Sequence, residues 1–122
     1  MARRRVRATV VAQQSVARTF DHLADVASVA TALRFLDRVQ VSYARILRSP
    51  RLGKLQTFAQ VRLEGIRAWP VLGFRNWLVY YRATAAGIDV LDVLHGARDQ
   101  QARLRDGLRG LAGDADAAAE SD

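Results

Sequence analysis

Cysteine is absent from the 122 residues, lysine and methionine occur once each, proline twice, and no apolar run reaches 18 residues. Without cysteine there is neither a disulfide framework nor a thiolate metal site, which fits a reducing compartment. Without a long apolar run, no helix is expected to span a membrane. The opening Met1-Ala2-Arg3-Arg4-Arg5-Val6-Arg7 has the charge of a signal-peptide start, but Gln13, Gln14, Arg18 and Asp21 interrupt any segment apolar enough for export. The expectation is a cytoplasmic protein. Half of the residues are hydrophobic, enough for one core, and the length fits one domain.

What is abundant is arginine. Eighteen of the nineteen basic residues are Arg, with Lys54 the exception. Four acids (Asp114, Asp116, Glu120, Asp122) fall in the last nine residues, which hold no base. Residues 1–113 therefore carry nineteen bases against eight acids, a net +11. Guanidinium groups suit bidentate pairing with phosphate or carboxylate, so the body of the chain calls for an anionic partner: nucleic acid, an enzyme bound to nucleic acid, or an acidic protein.

Hydrophobic periodicity orders the elements. Residues 4–11 alternate basic or polar with apolar positions, which predicts a strand with Val6, Ala8 and Val10 on one face. From Gln13 to Ala27 the period changes, and Val16, Phe20, Leu23 and Ala27 form one helical stripe. Leu33, Leu36, Val39, Tyr43 and Ile46 do the same within a helix over 29–48, capped at Ser28 and stopped by Pro50. Two amphipathic helices so closely joined form an antiparallel hairpin.

Residues 51–65 read mostly as loop, followed by a strand over 66–71 and a turn or bulge at Gly73-Phe74-Arg75. Residues 76–84 give the strongest strand signal, then a hairpin turn at Ala85-Ala86-Gly87 and a return strand over 88–95. Residues 100–111 have helical propensity weakened by glycine, and 113–122 read as a disordered acidic tail. The fold class is α+β, order β-α-α-β-β-β: a helical hairpin packed on a small, mostly antiparallel sheet whose other face stays partly open. The domain is set at 1–112.

Two segments, Gly73-Phe74-Arg75-Asn76-Trp77-Leu78-Val79-Tyr80-Tyr81-Arg82 and Gly87-Ile88-Asp89-Val90-Leu91-Asp92-Val93-Leu94-His95-Gly96-Ala97-Arg98-Asp99, resemble the C-terminal half of RelE/ParE toxins. Ala32-Leu33-Arg34-Phe35-Leu36-Asp37-Arg38-Val39 is similar to the second helix of that superfamily, and Ser49-Pro50-Arg51-Leu52-Gly53 to its Pro-x-x-Gly loop. The resemblance spans roughly residues 4–99 and implies the toxin of a type II toxin–antitoxin system, needing no cofactor and neutralised by a cognate antitoxin in a hetero-oligomer.

Members of the superfamily divide by target. RelE-like members cut mRNA on the ribosome, which requires a base, charge stabilisation at phosphorus and an acid for the leaving oxygen. Here no Tyr follows Tyr81, and Trp69 stands near the position of a catalytic Lys. The resemblance therefore favours the ParE-like branch, which poisons DNA gyrase without cutting RNA. A ribosome-dependent mRNA endoribonuclease, using His95, Arg98, Arg67 and Arg82, is the alternative, and a toxin-fold binding domain without activity is a third. The candidate contact residues for target or antitoxin are Arg67, Arg75, Tyr80, Arg82, His95 and Arg98. Each Arg has a plainer explanation as solvated strand-end charge or a partner of Asp89, Asp92 or Asp99. Trp77, Val79 and Tyr81 are assigned to the core, with Tyr80 and Arg82 exposed on the opposite face.

Overall fold

A computed structural model describes residues 3–56 and 65–96. Its elements are β1 (Arg5–Ala8), α1 (Val10–Val26), α2 (Val29–Arg48), β2 (Lys54–Leu55), β3 (Ile66–Val71), β4 (Phe74–Thr84) and β5 (Gly87–His95). The strands form one mixed sheet in the order β1-β5-β4-β3-β2. Only β1 and β5 run parallel; the other pairings are antiparallel. The expected α+β architecture is therefore present, with a fifth, two-residue strand inside the stretch read as loop.

The first element is shorter than its alternating pattern suggests. β1 ends at Ala8 because Thr9 is a helix cap: its hydroxyl accepts from the Ala12 N–H at 3.0 Å and donates to the Leu91 carbonyl at 2.9 Å. That pair of bonds fixes the start of α1 against β5, so Val10 and Val11 are helical despite their branched side chains, and Val10 is exposed rather than on a strand face. The second helix matches its expected bounds. Ser28 caps it through the Thr31 N–H at 3.0 Å.

Parallel closure of β1 on β5 depends on Gly87. Its φ is +145°, and a Cβ there would stand 2.0 Å from the Arg5 carbonyl oxygen. Only glycine allows the two backbones this approach, and the adjoining Ala86 carbonyl accepts from the Arg5 N–H at 2.8 Å.

The helical hairpin covers one sheet face. Phe35, Val39, Tyr43 and Ile46 of α2 and Leu23 of α1 pack with Val71, Val79, Tyr81, Ile88, Val90 and Val93, and with half-buried Val6, Ala8, Trp69, Phe74 and Trp77. The opposite face differs from the expectation of a partly open surface. Ile66, Ala68, Tyr80, Leu91 and Leu94 form a second apolar cluster there, and all five are buried. Every β5 residue from Gly87 to Leu94 is buried, as befits a strand flanked by β1 and β4. A register shift between Tyr80 and Tyr81 leaves Leu91 extra on β5, so strict two-residue alternation fails along that strand.

The helix expected over 100–111 and the acidic tail at 113–122 lie outside the described residues. No helix among the described residues is long and apolar enough to cross a membrane.

Candidate functional site

The sequence-derived candidates that fall among the described residues do not converge on one place. Arg67 lies on the helix face opposite Tyr81 in the β3–β4 register. Its Nη1 donates to the Gly53 carbonyl at 2.8 Å. The Tyr81 hydroxyl donates to the Pro50 carbonyl at 2.7 Å and accepts from the Gly53 N–H at 2.7 Å. Together Arg67 and Tyr81 clamp the Pro50–Gly53 loop against the sheet, so Arg67 is committed to holding the chain. Gly53 is fitted to this clamp: a Cβ would meet the Tyr81 hydroxyl at 2.6 Å.

Tyr80 was expected to be exposed, and the structure corrects this: its relative exposure is 1%. It lies on the far face beside Ile66, Ala68, Leu91 and Leu94. Burial raises its phenol to about 12, and its hydroxyl has no hydrogen-bond partner among the described residues. Arg82, half-buried, shares that face and stands opposite Ile66 and Asp89 in register. Asp89 is itself buried and forms its ion pair with Arg7, Nε to Oδ1 at 3.6 Å. Arg98 lies outside the described residues.

Arg75 and His95 are exposed and fall at the other end of the sheet from Arg82. His95 pairs in register with Trp77, and their rings meet edge to face with centroids 4.6 Å apart. Trp77 in turn meets buried Phe35 at 5.7 Å and Phe74 at 6.3 Å, while Phe35 and Phe74 meet at 5.2 Å. The Arg34 guanidinium carbon sits 5.7 Å above the Phe74 ring, within range of a cation–π attraction.

Local backbone explains how these groups gather. Between the pairs Val71↔Phe74 and Pro70↔Leu78, β4 inserts Arg75, Asn76 and Trp77 with no residue added on β3. Such a bulge re-aims side chains, and the sequence reading of a turn or bulge at this point is correct. Ser42 of α2 accepts from the Leu72 N–H at 3.1 Å and donates to the Arg38 carbonyl at 2.7 Å, fixing the β3–β4 turn to the helix. The Gly96 N–H donates to the Asn76 carbonyl and holds the end of β5, with His95, beside the bulge.

Sequence reasoning missed Arg34 and Phe74 as members of this end cluster and assigned Trp77 wholly to the core. Arg34 read as one charge on an amphipathic helix, and nothing local in sequence places it over a ring forty positions away. Among the described residues, no group of three or more His, Asp or Glu side chains is placed to hold a metal ion.

The family model for the ParE toxin of the type II toxin–antitoxin system parDE matches residues 6–100. The chain belongs to the ParE toxin family. Ten chains of solved structures match its fold. One of them, a chromosomal ParDE TA system from P. aeruginosa, aligns with a TM-score of 0.63 at 13% sequence identity. That alignment covers 77% of this chain and 97% of the other. No curated protein sequence matches the chain. The resemblance read from the two C-terminal strand segments thus holds at the level of the family, in the ParE branch of RelE/ParE.

Proposed function

We propose that this ParE-family toxin arrests bacterial growth by binding DNA gyrase, without chemistry of its own, and that a cognate antitoxin neutralises it. The observation that supports a binding role is the dispersal, among the described residues, of the groups an RNA-cutting site would need. Acid, base and charge stabiliser must each lie within about 3 Å of one reacting phosphodiester. His95 is level with Trp77 and Arg67 level with Tyr81, a separation of about 13 Å along the strand. Arg67 is bonded to Gly53, and Arg82 is on the opposite face. Trp69, near the place of a catalytic Lys in RelE-like relatives, is half-buried against the core on the helix side.

The antitoxin reading draws on the family's type II system and on charge. Arginine makes up most of the exposed charged residues among those described, and the exposed Arg3, Arg4 and Arg5 lead into the outermost strand β1, suiting an acidic partner that adds along the edge.

Inducing the chain alone in a bacterium tests the proposal. Gyrase binding predicts an SOS response and trapped gyrase–DNA cleavage products, both abolished by co-expressing the neighbouring antitoxin frame. Truncated mRNA without trapped gyrase would replace this reading with the ribonuclease one, and normal growth would leave a binding domain without toxicity.

A further inference from the structure

The end cluster has the composition of a stacking site. Phe35, fully buried, already seals the sheet end against α2. Phe74 and Trp77 nevertheless remain half-buried, and Arg34, Arg75, Asn76 and His95 around them are all exposed. The rings contact one another edge to face, at interplanar angles of 63° to 87°. No described ring stacks parallel on the indole.

We propose that this cluster binds an unstacked nucleobase and its flanking phosphates, so that the chain grips single-stranded DNA at this end of the sheet. Trp77 and His95 supply flat π surface, which accepts any base. Arg34 and Arg75 supply charge for the backbone phosphates on either side. Asn76, exposed on the same bulge, adds an amide of the kind that bonds a base edge or sugar. The bulge that lifts Arg75–Trp77 out of the β3 ladder, and the Gly96–Asn76 bond that pins His95, build the site before any ligand arrives. The biological setting, a strand opened during gyrase action, rests on the gyrase reading; binding to a free strand does not.

The two tryptophans, Trp69 and Trp77, make the test direct. In a Trp69→Phe chain, Trp77 is the one indole reporter. It is titrated with a single-stranded DNA of about a dozen nucleotides, the same sequence as RNA, the matched duplex, inorganic polyphosphate and polyglutamate. The expected result is saturable quenching of Trp77 by the DNA strand, weaker binding of the duplex, and little quenching by the two polyanions. His95→Ala and, in the parent chain, Trp77→Leu should each weaken binding at least about fivefold. Arg34→Gln and Arg75→Gln should each lower the salt dependence by about one phosphate contact.

Circular dichroism establishes that each variant is folded. The exposed Arg34→Gln and His95→Ala keep the test informative should Trp77→Leu misfold. Equal quenching by polyphosphate or polyglutamate, tighter binding of the RNA, or unchanged affinity in the folded variants would overturn the proposal. Strand binding without any effect on gyrase would sink the gyrase reading alone, and gyrase inhibition without strand binding would sink this one alone.

Discussion

Tyr81 shows how much a single hydroxyl can organise. One phenol donates to Pro50 and accepts from Gly53, satisfying the backbone of a loop that has no sheet ladder of its own until Lys54. Tyr81→Phe keeps the ring in the core but orphans the Gly53 N–H, and should cost about 1–3 kcal/mol, read as a lower urea midpoint at unchanged m. No loss would mean that the loop finds other partners. A harsher change is Gly87→Ala, where strain at positive φ and collision with the Arg5 backbone add together. The expected loss is at least about 2 kcal/mol, with amide exchange in β1 quickened more than in β3. Uniform exchange across the sheet would show that β1 does not depend on this contact. Neither role was visible in the sequence: Gly87 read as a turn residue, and its service to β1 arises from a pairing between the two ends of the domain.

At the scale of elements, what depended on local pattern was legible, and what depended on pairing was not. Ser28 and Pro50 set the bounds of α2, although its stripe placed Leu33 inward where Ala32 and Phe35 are buried and Leu33 is exposed, and the aromatic and branched run over 76–84 marked β4. The Thr9 cap was missed because Val10 and Val11 continue the strand-like alternation, and what turns them helical is the distant Leu91 carbonyl. Thr9→Ala should therefore cost about 1–2 kcal/mol and loosen α1 and the β5 bulge together. Thr9→Ser, which keeps both bonds, should restore most of it, and equal losses in the two variants would place the cost in packing instead. The far face was misjudged for a related reason. Strict alternation along 76–84 put Tyr80 on an exposed face, yet the neighbouring β5 is central and its extra Leu91 breaks the alternation, so Tyr80, Asp89 and Asp92 are all buried. Of the site, the hairpin with His95 was legible. The α2 contribution through Arg34 was not, since it is a contact between elements remote in sequence.

Across the whole molecule, all three tyrosines are buried and burial raises each phenol. Tyr80 rises to about 12. Tyr43 rises by burial first and the charge of Asp92 second. Tyr81 rises although the Gly53 N–H and Arg67 pull it down. The folded state thus favours the neutral phenols, and the unfolded chain loses their protons first, near pH 10. Stability should be insensitive to these groups below about pH 10 and fall as pH climbs toward the raised folded values. Urea unfolding across that window, with phenolate absorbance followed in parallel, checks it; full phenolate absorbance in folded protein near pH 10 would contradict it. The parallel pairing of β1 with β5 has a different consequence, one of timing. Among the described strands, the first to be made is seated beside one made some eighty residues later, so that pairing cannot form until β5 has left the exit tunnel. A growing chain therefore displays its helical hairpin long before Phe74, Trp77 and His95 can meet beside it.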